Sequence, residues 1–418
     1  MLCSNSIDTL GKKCKNRGEN IYLYKNTAEI LPLAFVDDLN GISKCGEESM
    51  ALNTFITTQI ELKKLKFHVP DKNGKSKCHK MHIGKKNTFC PTLKVHGSIM
   101  QEVTEDVYLG NIISSDGKNT KNIRQRISKG IGIVNQIFNL LGNVRFGAHQ
   151  FEIAMLLRES MLVNGTLTNS EIWYNFTNNE VEEFSNLDRL FFRRLLGVPL
   201  TTPAESYYLE FGVIPINVTI KARRINYLHT ILSSERSGML YNFFIAQWYN
   251  PSPGDWTEQV KEDLTDFQIS LSFEQIKKKS KESFKNMVKT RAKEYSLNFL
   301  KSKQASHSKM EKLIFKDLKI QNYLLSDEIE YKEKQTIFRF RTSMERFGEN
   351  YRAGKTRAMC PLCHLHYDSQ ELSLQCPEIR KEMKVVGNIE EIYKEDIGKA
   401  IVGTLTKITE IRKNKIGK

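Results

Sequence analysis

The sequence predicts an α+β fold in which short antiparallel strands and one helix precede a body that is almost entirely helical. Before about residue 105, short apolar runs alternate with turn residues, which is typical of short strands. After about residue 119, apolar residues recur at three- and four-residue spacing, which is the period of an amphipathic helix. Prolines at four positions then divide the helical part into segments: Pro199, Pro203, Pro215 and Pro251.

The strand candidates are short and lie near the start of the chain. Their apolar runs cover residues 21–24, 33–36, 39–42, 81–84, 93–95 and 108–110. One amphipathic helix is predicted between the third and fourth candidates, at residues 47–66, where apolar side chains fall roughly on one side. The first part of the chain therefore mixes strands with a helix.

The helix candidates begin with a long one at residues 119–141, in which isoleucines repeat along one face. Further helices are predicted, with breaks at the prolines, at residues 148–168, 179–196, 203–211, 216–233, 238–249, 273–300 and 394–414. The helix at 273–300 has an unusually basic face. That face is either simply solvated or contacts phosphate groups, and both interpretations stay open.

The charge of the chain indicates a polyanionic partner. Its net charge is +15 and its pI is near 9.2, spread over 418 residues, so nucleic acid is the expected partner and a generic basic protein is the alternative. The 40% apolar content is enough for hydrophobic cores in about two or three domains.

The chain shows no sequence signal for a membrane or for secretion. No stretch approaches the roughly 18 continuous apolar residues of a membrane span, and the N-terminus has no apolar signal-peptide core. We therefore expect no membrane partner and an intracellular location, nuclear, cytoplasmic or both. The eight cysteines are expected to be reduced thiols or metal ligands.

Two adjacent acids, Asp37 and Asp38, lie inside an apolar run. Carboxylates are costly to bury, and a common reason for such a pair is a hard cation such as Mg²⁺ shared with substrate phosphates. If the acids occupy a tight turn between two strands, both carboxylates point towards such an ion. A polar β-turn without a metal is the alternative.

Phe35-Val36-Asp37-Asp38 matches the aromatic-x-Asp-Asp hairpin of reverse transcriptases. In its surroundings the chain resembles the reverse transcriptase of a non-LTR (LINE-type) retrotransposon. Supporting strings follow in the family's order at residues 76–84, 107–117, 169–174, 187–196 and 208–224. The ordered set is more specific than any one string, and it covers the chain to about residue 380.

The resemblance implies a domain organisation. It assigns a palm remnant with the Asp-Asp hairpin to residues 1–105, a thumb-like part to 106–170, a helical extension to 171–350, a degenerate zinc knuckle to 355–380, and a C-terminal helix with a basic tail to 381–418. The fingers and the first part of the palm have no counterpart in this sequence.

The resemblance also implies phosphoryl transfer to a primer 3′-hydroxyl under two Mg²⁺ ions. Asp37, with Asp38 more peripheral, corresponds to one carboxylate arm, whereas the family's other aspartate has no counterpart here. We therefore expect weak Mg²⁺ binding and no polymerisation by this chain alone. Lys75 and Lys77 correspond to a lysine near the incoming triphosphate, with a solvated surface loop as the equal alternative.

Further basic residues correspond to the family's contacts with an RNA template and an RNA–DNA duplex. In the thumb-like helix they would contact phosphates with little sequence preference; the alternative is that their charges are only solvated. Arginines interleaved with phenylalanines before the knuckle suit the same surface, although the phenylalanines are expected in the core. The candidates are Lys121, Arg124, Arg126, Lys129, Arg339 and Arg341.

Cys360, Cys363 and Cys376 resemble the family's C-terminal zinc knuckle. Two thiolates with two residues between them can bind one tetrahedral Zn²⁺, and a later pair completes the site. The position where the family has histidine holds Leu372, so His366 is a substitute only with a different loop geometry. A decayed knuckle without metal is the alternative.

The leading hypothesis is thus a fragment of an RNA-directed DNA polymerase, a nucleotidyltransferase, from a non-LTR transposable element. It would bind template–primer duplex and supply part of a two-Mg²⁺ site. A non-catalytic nucleic-acid-binding remnant of a retroelement is the second hypothesis. A helical zinc-binding adaptor with a chance Asp-Asp turn is a third, which does not explain the ordered strings.

Overall fold

The structure is a computed structural model of the 418-residue chain. It describes residues 21–23, 28–30, 33–35, 38–42, 46–62, 67, 77–83, 91–108, 110–143, 147–234, 238–305, 307, 310, 312–351, 358–384, 388–394 and 397–416.

The first part of the chain contains strand pairs and one helix, as predicted. Strands β1 (Ile21–Leu23) and β2 (Ala28–Ile30) pair antiparallel, and so do β3 (Leu33–Phe35) and β4 (Asp38–Asn40). Helix α1 follows at Gly46–Leu62. The predicted pair of strands around the two acids is therefore confirmed, with Phe35 opposite Asp38.

The remaining strands are also short and form pairs. Strand β5 (His79–Lys80) pairs parallel with β8 (Gln101–Glu102), and β6 (Lys94–Val95) pairs antiparallel with β7 (Ser98–Ile99). A last hairpin joins β9 (Glu105–Tyr108) to β10 (Asn111–Ser114). Within the described ranges every sheet is two-stranded, so the predicted α+β class holds with little β-structure.

Helices dominate from Thr120 onward. The long helix α2 spans Thr120–Asn143, as its isoleucine period predicts. Next come α3 (Gln150–Leu157), a π-helical segment (Arg158–Val163) and α4 (Asn164–Thr166), then α5 (Asn178–Leu196), α6 (Ala204–Phe211), α7 (Ile216–Ser233), α8 (Met239–Tyr249) and α9 (Trp256–Asp266).

The C-terminal third continues this helical pattern. It contains α10 (Phe273–Lys278), α11 (Lys281–Gln304), α12 (Asn322–Leu325), α13 (Tyr331–Arg341), α14 (Gly348–Tyr351), α15 (Pro377–Glu382) and α16 (Lys399–Ile416). The helix predicted at 273–300 is thus two helices. Ser280 separates them. It is the N-terminal cap of α11, because its hydroxyl accepts the Ser283 N–H at 3.2 Å.

The largest hydrophobic core joins distant parts of the chain. It contains Ile137 of α2, Phe192 of α5 and Phe338 of α13, together with Ile408 of α16. A second core packs α7 against α9 and α11. None of the helices in the described ranges is both long and apolar enough to cross a membrane.

Candidate metal centre

Three cysteines and one histidine converge near the C-terminus. The ligand atoms of Cys360, Cys363, His366 and Cys376 all lie within 4.8 Å of one another. The sulfur atoms of Cys360 and Cys376 are 3.9 Å apart. Tetrahedral Zn²⁺ with Zn–S bonds of about 2.3 Å separates two sulfurs by about 3.8 Å, so this spacing fits one shared ion.

A tight loop brings the first three ligands together. Met359 and Tyr367 form an antiparallel bridge, and the Cys360 N–H donates to the His366 carbonyl at 2.7 Å. His364 adopts a left-handed conformation with φ of 57°, which reverses the chain between the two arms. Cys360 and His366 therefore lie on opposite arms of the loop, and their side chains converge on the same point.

The fourth ligand comes from a separate element. Cys376 is fully buried and lies directly before α15, whose first N–H groups have no partner inside the helix. Burial raises the pKa of the Cys376 thiol to about 11, although the N–H groups of Ile379 and Glu378 act in the opposite direction. This buried thiol therefore needs a positive partner to lose its proton.

Cys363 is in a different electrostatic environment. Burial raises the pKa of its thiol, but hydrogen bonds from the Leu365 and His366 N–H groups and from the neighbouring cysteines outweigh that effect. The pKa of Cys363 is therefore lowered from its ordinary value. Part of the cluster is thus prepared to bind a cation as thiolate.

His366 has the hydrogen bonding of a metal ligand. Its Nδ1 lies 2.9 Å from the Tyr367 carbonyl, which fixes the proton on that nitrogen. Its Nε2 is buried and has no hydrogen-bond partner among the residues that the structure describes. In zinc sites, a bound histidine usually donates the N–H of its other ring nitrogen to a carbonyl or carboxylate, which leaves the first nitrogen for the metal. The Cys3His cluster could therefore hold a metal such as zinc.

The histidine that completes the cluster is not at the position taken from the family. Leu372 begins a 3₁₀ turn (Leu372–Gln375) and is half-buried, whereas His366 completes the set. His364 is exposed and is not part of the cluster. The different loop geometry that the sequence required for His366 is the one observed.

A salt bridge anchors the loop to the last helix. The Asp368 carboxylate accepts the Gly348 N–H at 2.7 Å and pairs with Arg412 of α16 at 2.8 Å. The Arg412 guanidinium also lies 4.3 Å from the centre of the Phe347 ring. Sequence reasoning missed Asp368 and Arg412, because no local pattern links residues that are 44 positions apart.

The side chains of the acidic pair lie outside the described residues. Asp38 begins β4, but its side chain, Asp37 and Lys75 lie outside the described residues. Lys77 is exposed. The predicted Mg²⁺ and triphosphate contacts therefore stay predictions.

Two of the predicted nucleic-acid contacts are corrected by their burial. The Arg126 guanidinium donates to the Gly110 carbonyl at 2.6 Å, and Arg341 pairs with Glu210 at 2.8 Å. Both side chains are almost fully buried and bonded inside the fold, so they do not belong to an exposed phosphate-binding surface. The neighbouring phenylalanines Phe338 and Phe340 are core residues, as expected.

The other four candidates differ in their partners. Lys121 is exposed and pairs with Glu105 at 2.6 Å, and half-buried Arg339 pairs with Glu345 at 2.7 Å. Arg124 and Lys129 are exposed on α2. An exposed ion pair exchanges partners at little cost, so Lys121 is available to a ligand in solution. The exposed Arg124 and Lys129 are available in the same way.

No protein-family model, curated protein or solved structure matches this chain.

Proposed function

We propose that this chain is part of an RNA-directed DNA polymerase of the non-LTR retrotransposon type, and that it binds RNA–DNA duplex and one structural Zn²⁺. The observation that carries the proposal is the Cys3His cluster. Its first two cysteines and its last one are those that the resemblance identifies as the knuckle. The net charge of +15 supports a nucleic-acid partner.

In this proposal the cluster has a structural role. Four protein ligands leave no open position for a catalytic water, which distinguishes structural from catalytic zinc sites. Cys360, Cys363, His366 and Cys376 would hold the ion and tie the loop to α15. The proposed catalytic contribution of the chain lies elsewhere, at Asp37 and Asp38, whose carboxylates would bind Mg²⁺.

The zinc content of the purified chain tests the first part. We expect one Zn²⁺ per chain by elemental analysis, and loss of most of that metal in His366→Asn. His364→Asn is the matched control, because it changes a histidine of the same loop that lies outside the cluster, and asparagine tolerates the left-handed backbone. Equal metal content in both variants would contradict the proposed ligand set.

Duplex binding tests the second part. Fluorescence anisotropy with a labelled RNA–DNA duplex of about 20 base pairs should give a Kd that rises steeply with the salt concentration, because phosphate contacts release counterions. The same sequence as B-form DNA is the comparison, since an RNA-containing duplex presents 2′-hydroxyls and A-like geometry. No binding of the RNA–DNA duplex, or an affinity independent of salt, would refute the proposed function.

A further inference from the structure

Four lysines form a row along one side of α11. They are Lys281, Lys285, Lys289 and Lys293, which follow one another at intervals of four residues. At a rise of 1.5 Å per residue, successive members are about 6 Å apart along the helix axis, and the row extends about 18 Å. We call these four residues the lysine row.

All four side chains are exposed, and none has an ion-pair or hydrogen-bond partner among the described residues. Several other surface lysines do have carboxylate partners: Lys319 with Asp317, Lys399 with Glu328 and Lys407 with Glu410. Like charges four residues apart on a helix repel by a few tenths of a kcal/mol per pair. The lysine row therefore does not contribute to the stability of the fold through ion pairs.

A neighbouring face of α11, about 100° around the helix axis from the lysines, holds the row in place. Phe284, Val288 and Ala292 are buried in the core that α11 shares with α7 and α9. At the start of the helix, His229 of α7 bonds to the Lys279 carbonyl at 2.9 Å, and its ring stacks on Phe284. The row is thus presented on a packed helix rather than on a mobile loop.

The surroundings of the row favour a phosphate backbone over a lipid surface. A helix that lies in a membrane interface exposes an apolar face beside its lysines. Here the apolar face is inside the core, and the exposed residues next to the row are Glu282, Asn286 and Thr290. A regular series of ammonium groups without exposed apolar neighbours matches a regular series of phosphates.

We propose that the lysine row binds the phosphate backbone of the nucleic acid, without base preference, as a surface separate from the metal centre. The inference rests on the proposed function and adds the contact surface. The part of α11 that carries the row is buried in the second core through Phe284, Val288 and Ala292, whereas Cys360 and Cys376 lie in the first core. Lysines act on phosphates as point charges, so sequence-independent binding is expected.

The test replaces three members of the row in the full-length chain, as K285Q/K289Q/K293Q. Glutamine keeps helix propensity and length while removing the charge. The probe is a labelled RNA–DNA duplex, titrated between about 50 and 300 mM NaCl. Three lost contacts should lower the slope of log affinity against log salt by about 2.7 and weaken binding at least about tenfold at 0.1 M salt.

The matched control removes the same charge from paired lysines, as K319Q/K399Q/K407Q. This variant should keep the wild-type slope and bind within about threefold of the wild-type Kd, because its lysines are neutralised by carboxylates already. Equal losses in both variants would show that only the total charge matters and would overturn the inference. Wild-type binding by the row variant would overturn it too.

Two further outcomes separate the lysine row from the proposed function. If the wild-type chain does not bind the duplex at all, the proposed function fails and the row fails with it. If the row variant keeps duplex binding but loses binding to vesicles of phosphatidylserine and phosphatidylcholine, only the row's assignment to nucleic acid fails. Thermal melting of both variants confirms that each is folded before binding is compared.

Discussion

At the scale of single residues, the helical body contains buried ion pairs, of which Arg158 with Asp188 is almost completely enclosed. The Asp188 carboxylate is fully buried and accepts from the Arg158 Nε at 3.0 Å, from its Nη2 at 2.7 Å and from the Tyr208 hydroxyl at 3.2 Å. Burial raises the pKa of Asp188, while the Arg158 charge opposes that shift. Removing either partner would leave the other as a buried charge without compensation.

We predict that Asp188→Asn lowers the free energy of unfolding by about 3–5 kcal/mol, because it leaves the buried Arg158 charge without compensation. Urea denaturation followed by circular dichroism measures the change. The matched control is Glu294→Gln, which breaks the exposed pair with Arg291 and should change stability by less than about 0.5 kcal/mol. Similar effects of the two substitutions would disprove the role given to burial.

At the scale of elements, two helices end in left-handed glycines that have different surroundings. Gly197 ends α5 with φ of 64°, and Gly212 ends α6 with φ of 62°. Among the described residues, a Cβ on Gly197 would meet only the Gln335 side chain, at 3.8 Å, whereas a Cβ on Gly212 would overlap the backbone of Lys319 and Ile320. Gly212 is therefore needed both for its conformation and for the close approach of a second chain segment.

The two glycines give a second prediction. An alanine at either position has the penalty of a left-handed backbone, but only an alanine at Gly212 also overlaps another backbone segment. Gly197→Ala should cost about 1–2 kcal/mol, the usual penalty for a left-handed alanine. Gly212→Ala should cost clearly more, because a backbone overlap cannot be relieved by rotating a side chain. Urea midpoints of the two variants provide the comparison, and equal losses would show that the segment at Lys319 simply moves away.

At the scale of the whole molecule, the candidate metal centre is part of the largest core rather than a separate module. Cys360 and Cys376 are buried in the same cluster as Ile137 of α2 and Ile408 of α16. The loop is also linked to α16 through Asp368 and Arg412. Binding of a metal by this loop is therefore coupled to the stability of the helical body.

Removal of the proposed zinc should consequently lower the main thermal transition. A ligand held at about 100 times its Kd stabilises the folded state by about 3 kcal/mol, which a chelator would remove. Differential scanning calorimetry with and without EDTA measures the shift. His366→Asn is the control, because it should melt at the lower temperature with or without chelator. A main transition that EDTA leaves unchanged would mean that the loop is independent of the core.

The sequence by itself determined most helices and the three cysteines of the candidate metal centre. Helix α2 and the α5–α8 series were predictable because burial of one face imposes a local period on the sequence. Cys360 and Cys363 were predictable because two residues between thiolates is a local requirement of a shared ion. The β3–β4 pair was likewise predictable from adjacent apolar runs around two acids.

Only the tertiary structure decided which basic residues are free and which histidine completes the cluster. Arg341 reads as a surface cation, but its partner Glu210 lies 131 positions away, and the pair is buried. His366 joins the cysteines because the bridge between Met359 and Tyr367 turns it inward. Burial and pairing depend on contacts between segments distant in sequence, which no local period or spacing contains.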